Sequence, residues 1–297
     1  MTAATLDAAY ARCQRMAREH YENFPVASFL LPSAMRPHIA AIYAFARTAD
    51  DFADEPGAAD ADRLRQLDDW RERLDRAAQP GIPKPPVDAP DEIFVALAHT
   101  IRECRLPASL FHDLLGAFRQ DVLQKRYSTW SDVLDYCSRS ANPVGRLVLR
   151  VAGHHSATLD ARSDEVCTAL QLANFWQDLE RDWNIGRVYV PEQDRARAGA
   201  TDEDLAARRM SPEWRQVMAE MVQRTRALFA SGRAVCDGLG GRLRWELRLT
   251  CLGGSRILDR LERSGYDVFN HRPTLGIRDA PGLLWRAIRW NRQNWAR

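Results

Sequence analysis

Gln171-Leu172-Ala173-Asn174-Phe175-Trp176-Gln177-Asp178-Leu179-Glu180-Arg181-Asp182 is the stretch on which the reading of this chain turns. Asn174, Asp178 and Asp182 recur at i, i+4 and i+8, with Gln171 ahead of them on the same stripe, so a helix would gather four polar groups on one face. Leu172, Ala173, Phe175, Trp176 and Leu179 surround that stripe, which fits a cavity wall better than a face open to water. A single pair of Asp at this spacing is usually a solvated face, because charged side chains mostly sit outside. A second segment shifts the balance. Arg47-Thr48-Ala49-Asp50-Asp51-Phe52-Ala53-Asp54 again sets two Asp, Asp50 and Asp54, four residues apart in apolar company.

Like charges at i, i+4 repel and mildly destabilise a helix, and a divalent cation offsets that repulsion. Mg2+ commonly binds through one or two carboxylates together with substrate phosphates. Two such helices facing each other would grip a diphosphate through bridging metals at Asp50, Asp54, Asp178 and Asp182. That is a site for ionising an allylic or cyclopropyl diphosphate.

Helical spacing extends along most of the chain. Apolar residues recur at three and four over 38–52, 93–104, 108–123, 131–152, 164–182, 213–236 and 244–264, while alternating runs are scarce and Val188-Tyr189-Val190 is too short to found a sheet. Ser131-Asp132 and Ser211-Pro212-Glu213 mark helix starts. The prolines from Gln79 to Pro90 exclude helix there and mark a surface loop or a linker; the loop is preferred, because the Asp segments on either side must share one site. The fold expected is all-α, a single domain over 1–297 around a central cavity, ending in a Trp/Arg-rich helix at about 282–297.

Composition fits a globular enzyme. With 45% hydrophobic and 28% charged residues and a formal charge of +2, the chain resembles neither a nucleic-acid binder nor an acidic scaffold. Its six cysteines show no CxxC pair and no zinc spacing, which points to reduced thiols and a cytoplasmic setting. The N-terminal residues hold no apolar signal core, and no apolar run approaches the ~20 residues that span a bilayer. The glycines at 238–241 and 253–254 do not follow a strand and read as turns or close helix packing, and Asp68-Asp69 as a solvated face.

The chain resembles the head-to-head trans-isoprenyl diphosphate synthases, which include squalene and phytoene synthases. The resemblance rests on Tyr43-Ala44-Phe45-Ala46-Arg47 leading into the first Asp pair, on Tyr136-Cys137 and Val144-Gly145, on Gln171 to Asp182, and on Gly186-Arg187-Val188-Tyr189-Val190-Pro191. Asn23-Phe24-Pro25-Val26-Ala27-Ser28, Ala141-Asn142-Pro143-Val144-Gly145, Tyr266-Asp267-Val268-Phe269 and His271-Arg272-Pro273-Thr274-Leu275 are similar to the hydroxysqualene synthases of bacterial hopanoid biosynthesis.

The resemblance implies an isoprenoid-synthase fold, presqualene diphosphate as substrate, hydroxysqualene and diphosphate as products, Mg2+ as cofactor and no NADPH. It implies a presqualene diphosphate synthase upstream and a squalene-forming reductase downstream, with no nucleic-acid partner. It also implies substrate or phosphate contacts for Ser28, Phe29, Tyr43, Arg47, Tyr136, Gln171, Asn174 and Tyr189. Arg47 has an ion pair with Asp50 or Asp51 as its alternative role, and Tyr136 a place in the core. Arg187 and Tyr189 fall in a Gly-containing turn, a natural lid. Phe29, Phe45, Phe52, Phe175 and Trp176 are candidates for aromatic cavity walls.

Pro143, set in an expected helix, would free the Arg139 carbonyl, which with the Asn142 amide would hold a water, or would only kink the helix. The C-terminal Trp and Arg residues either pack on the body or make a peripheral contact with the inner face of a membrane. Rival functions are a presqualene diphosphate, squalene or phytoene synthase on the same metal site, a non-catalytic assembly factor on the same fold, and a helical phosphohydrolase. Intact Asp pairs speak against the assembly factor.

Overall fold

A computed structural model of the chain describes residues 3–19, 30–55, 57–79 and 91–290. Ser28, Phe29, the Pro-rich segment beyond Gln79 and residues 291–297 lie outside the described residues; the Trp/Arg-rich helix expected at about 282–297 spans Ala280–Ile288. Those described are helical and irregular, with one isolated parallel bridge between Arg126 and Val188. The all-α expectation holds. No helix among them is long and apolar enough to cross a membrane. The chain divides into two compact units, Met1–Leu123 with Pro143–Asp160, and Gln124–Asn142 with Ala161–Arg297.

In the first unit, α1 (Ala3–Glu19), α2 (Arg36–Asp54), α3 (Asp60–Ala78), α4 (Asp91–Glu103) and α5 (Ala108–Leu123) form the core. The buried face of α2 is largely small: Ala40, Ala41, Ala44, Ala49 and Ala53 let neighbouring helices approach, while Ile39, Ile42 and Phe45 fill the gaps. Phe45 meets Phe111 edge-on at 5.4 Å and lies against Trp70 at 6.0 Å. The Trp70 indole N–H donates to the Phe45 carbonyl at 3.2 Å, fastening α3 to the middle of α2. This packing fixes the helix that carries the first Asp pair. The helix α3 has no place among the periodic segments read from sequence because its buried positions, Leu67, Trp70 and Leu74, are diluted by Asp and Arg.

The stretch 131–152 is not one helix. It divides into α6 (Trp130–Ser140) and α7 (Asn142–Val151), with Ala141 between them at φ −119°. Pro143 cannot donate to a carbonyl four residues back, and it restricts Asn142 before it, so the break falls there. Pro143 therefore sits in the first turn of α7, where a missing N–H costs little, rather than inside a kinked helix. The start of α6 is Thr129, whose hydroxyl accepts from the Asp132 N–H while the Asp132 carboxylate accepts from the Thr129 N–H.

The second unit is built on α8 (Ala157–Gln177), α9 (Leu179–Asn184), α10 (Glu192–Ala198), α11 (Asp202–Ala206), α12 (Pro212–Gly232), α13 (Gly241–Arg263) and α14 (Ala280–Ile288). Ser211 caps α12 with Pro212 in its first turn, as read from sequence. Close helix packing explains Gly254: a Cβ there would lie 2.4 Å from the Phe229 ring and 2.9 Å from Leu170. The Trp176 indole donates to Thr225 at 2.8 Å inside this core.

Candidate active site

In the first unit, the last turns of α2 carry Tyr43, Arg47, Asp50, Asp51 and Asp54. Arg47 holds Asp51 at 2.6 Å and reaches Asp50 only at 3.4 Å. The ion-pair role weighed for Arg47 is thus present, and its guanidinium stands where it would exchange a carboxylate for a phosphate oxygen. Asp50 is the strained member. Burial, then repulsion from Asp54, pushes its carboxyl up to about 7, against the pull of Arg47. Asp121 of α5, buried, adds a third negative charge to its surroundings. The repulsion expected from the spacing alone is therefore real here, and one neighbour in it, Asp121, comes from a different helix.

In the second unit, Gln171, Asn174, Asp178 and Asp182 are all half-buried, while Leu172, Ala173, Phe175, Trp176 and Leu179 are buried, as the stripe predicts. The helix is not continuous beneath it. Asp178 leaves helical geometry at φ −103°, ψ 13° between α8 and α9. Hydrogen bonds from the Asp178 N–H to the Asn174 carbonyl (2.8 Å) and from the Asp182 N–H to the Asp178 carbonyl (2.9 Å) preserve the one-turn spacing across the break. Arg272 grips both Asp178 oxygens, Nε to Oδ1 at 2.6 Å and Nη2 to Oδ2 at 3.1 Å. The Gln177 amide donates to the Pro273 carbonyl at 2.6 Å, tying the same loop to the end of α8.

After α9 the chain turns at Gly186, φ +79°, a conformation that favours glycine. The Gly186 N–H bonds to the Trp183 carbonyl at 2.9 Å and the Arg187 N–H to the Asp182 carbonyl at 2.8 Å, a Schellman end to the helix. The Val188 N–H then bonds to the Lys125 carbonyl at 2.9 Å, and residues 187–190 are buried. Arg187 and Tyr189 are therefore buried on a backbone held at Val188, and are not exposed as the lid reading expects.

Tyr189 stacks face to face on Phe175 at 3.6 Å with the rings 5° from parallel. Tyr136 lies 5.7 Å from Tyr189 and 6.0 Å from Phe175, and Tyr127 lies 5.5 Å from Tyr189 and 5.6 Å from Tyr136. The structure thus gathers Tyr136, Phe175 and Tyr189 into one aromatic cluster and adds Tyr127. Among the other expected walls, Phe45 and Trp176 are wholly enclosed core residues and Phe52 packs edge-on against Trp70 at 5.4 Å. Asn142 accepts the Thr168 hydroxyl at 2.9 Å through its side-chain oxygen, which commits one end of its amide.

Three residues had no role assigned from sequence. Tyr127 and Asp121 are a lone aromatic and a lone acid whose surroundings come from other elements. Arg272 was legible only as part of the resemblance, since its partner lies 94 residues away. Among the described residues no three His, Cys, Asp or Glu side chains converge as a closed metal site. Mg2+ needs none, because it takes one or two carboxylates and completes its shell with phosphate oxygens and water. Asp50 and Asp54 fit that use: an electrostatic cost remains between them, and a cation would relieve it.

The family model for squalene/phytoene synthase matches residues 17–279. The hydroxysqualene synthase of Zymomonas mobilis is 40% identical over 70% of this chain and 67% of its own. The 15-cis-phytoene synthase of Synechococcus elongatus is 31% identical over 91% of this chain and 89% of its own. Among solved structures, squalene synthase HpnC from Alicyclobacillus acidocaldarius superposes with a TM-score of 0.81 at 40% identity, covering 89% of this chain and 97% of that one.

Proposed function

The chain belongs to the squalene/phytoene synthase family of head-to-head prenyl diphosphate synthases, and on that premise we propose that it converts presqualene diphosphate and water to hydroxysqualene and diphosphate. The carbon–oxygen bond to the diphosphate breaks with its electron pair leaving on the diphosphate. The cyclopropylcarbinyl cation rearranges and its three-membered ring opens to a linear allylic cation. Water then adds through its oxygen and gives up one proton, so no reductant enters and no NADPH is needed. Mg2+, held by Asp50, Asp54, Asp178 and Asp182, would supply the positive charge that stabilises the leaving diphosphate.

The protein's own groups have the chemistry for the rest. Arg47 exchanges Asp50 and Asp51 for phosphate oxygens. Tyr43, Gln171, Asn174 and Arg187 donate hydrogen bonds to the diphosphate, with Ser28 and Phe29 assigned by resemblance alone. Tyr136, Phe175 and Tyr189 offer π faces to a developing cation in a region with little water. The observation that carries the reading is the placement of Asp50 and Asp54 one turn apart at the end of α2 with the buried Asp121 nearby, a group of like charges that a divalent cation would relieve. Similarity to hydroxysqualene synthases favours water as the second reactant; similarity to phytoene synthases keeps condensation of two prenyl diphosphates as the second reading.

Incubation with presqualene diphosphate, then with farnesyl diphosphate, each with and without NADPH, separates them. Hydroxysqualene from presqualene diphosphate without NADPH is the expected result. Squalene that appears only with NADPH, or a product only from two prenyl diphosphates, would overturn it.

A further inference from the structure

Among the described residues eight large apolar side chains stand exposed, and five of them fall between Leu275 and Ile288. Scattered exposure of this kind is ordinary; clustering is not. Ile277 is 93% exposed in the short turn before α14, and Leu284, Trp285 and Ile288 are 48%, 55% and 63% exposed along it. Leu284 and Ile288 stand one turn apart with Trp285 beside them, so they share one side of the helix, while Ala287 faces inward and is buried. The outward side of α14 is thus its apolar one. Trp285 is more exposed than covered, whereas Trp290 lies under the guanidinium groups of Arg233 and Arg248 at 4.8 and 5.2 Å.

The charges along this described segment have one sign once Asp279 is set aside: Arg278, Arg286 and Arg289 are cationic, and no Asp or Glu lies between residues 280 and 290. Asp279 itself is buried and held by Arg260 at 2.7 Å and Arg256 at 3.5 Å. Arg289 lies over the exposed Trp285 ring at 4.1 Å. A second copy of the chain would bring these arginines against one another. A negatively charged lipid surface would satisfy them and receive the apolar side chains between. At nine residues α14 is far too short to span a bilayer.

We propose that Ile277, Leu284, Trp285 and Ile288 form a docking face that seats the protein on anionic membrane surfaces, with Arg278, Arg286 and Arg289 against the lipid headgroups. The face is independent of the reaction, and its test reads no turnover. The full chain is sedimented with vesicles of phosphatidylcholine alone and of phosphatidylcholine with phosphatidylglycerol. The expected result is binding to the anionic vesicles that weakens as salt is raised. Leu284→Glu with Ile288→Glu should weaken it by about tenfold or more, Arg286→Glu with Arg289→Glu should remove the anionic preference, and Leu123→Glu, exposed elsewhere, should bind as the parent does. Circular dichroism confirms that each variant is folded. Absence of vesicle binding, equal binding of all variants, or self-association lost with Leu284→Glu and Ile288→Glu in its place would overturn the proposal.

Discussion

The two Asp pairs share a spacing but not a state. In the first unit, Arg47 holds Asp51 tightly and Asp50 weakly, and Asp50 is left facing Asp54 and Asp121 with its carboxyl pushed up to about 7. In the second, Arg272 takes both oxygens of Asp178 in a fork. One pair carries a repulsion that Arg47 offsets only in part. The other has an internal cation already in place. Two Asp four residues apart therefore mark a like-charge cost, and not what compensates it. A cation entering the first pair is favoured by what it relieves; one binding Asp178 must displace or share a guanidinium.

The largest test asks whether both pairs serve one reaction. Asp50→Asn and Asp178→Asn should each lower Mg2+-dependent diphosphate release by about a thousandfold or more, as loss of a metal ligand commonly does. Chelation of Mg2+ should abolish release from the parent. Wild-type release from either variant would remove that pair from the site. Circular dichroism should show both variants folded, since neither substitution adds repulsion at i, i+4.

Stability should separate the pairs where activity does not. Arg272→Ala leaves the half-buried Asp178 carboxylate without its fork and should cost about 1–3 kcal/mol in denaturant unfolding. Asp50→Asn should do the reverse in metal-free protein. Because the Asp50 carboxyl is raised in the folded state, its contribution is present below about pH 3.9, the ordinary Asp value, and is lost as pH rises towards 7. The whole shift would correspond to ~4 kcal/mol, but the side chain is 40% exposed and water screens it, so a gain of about 1 kcal/mol at pH 8 is expected. At pH 4 parent and variant should unfold alike. A destabilised Asp50→Asn at pH 8 would mean that the pair is compensated in the first unit as well.

What could be read in the sequence was periodic and local. The α2 face, the polar stripe of α8, the Ser211 cap and the close packing at Gly254 all follow from the spacing of neighbouring residues. The breaks and the partners were less accessible. Asp178 departs from helix within a run whose apolar period continues unbroken, and Pro143 was placed inside a helix because apolar spacing resumes on both sides of it. Arg187 and Tyr189 read as a lid because a Gly turn precedes them; their burial, with the backbone hydrogen bond from Val188 to Lys125, 63 residues earlier in the chain, comes from the fold. Asp121 and Arg272 act through the fold alone, so no local pattern marks them.

A smaller effect distinguishes the first unit at acid pH. The Tyr10 hydroxyl lies 3.1 Å from His38 Nδ1, 2.9 Å from His99 Nδ1 and 2.9 Å from the Thr100 hydroxyl, joining α1, α2 and α4. Burial, then the neighbouring His99, lowers the His38 pKa below its ordinary value, against the pull of Glu103. A lowered histidine contributes stability above its unfolded value, ~6.5, that is lost as pH falls through the folded one. Unfolding should therefore become easier between about pH 7 and 5, and His38→Gln should flatten that dependence. An unchanged slope would place the acid sensitivity elsewhere.

The smallest change expected is in product identity. Asn142 has one end of its amide bound to Thr168, so its position is set, and the NH2 end remains the chemically suitable donor for a water or substrate contact. With Pro143 in a first turn rather than within a helix, the water-holding role no longer rests on a kink; it rests on this amide alone. Asn142→Ala should leave diphosphate release within about twofold while the product fraction shifts from hydroxysqualene towards eliminated or rearranged hydrocarbons, read by gas chromatography. Thr168→Val is the companion variant: it removes the hydroxyl that orients the amide and should shift products the same way to a lesser degree. If the hydroxysqualene fraction is unchanged in both, Asn142 serves only to start α7, and the water that quenches the cation is held by other groups.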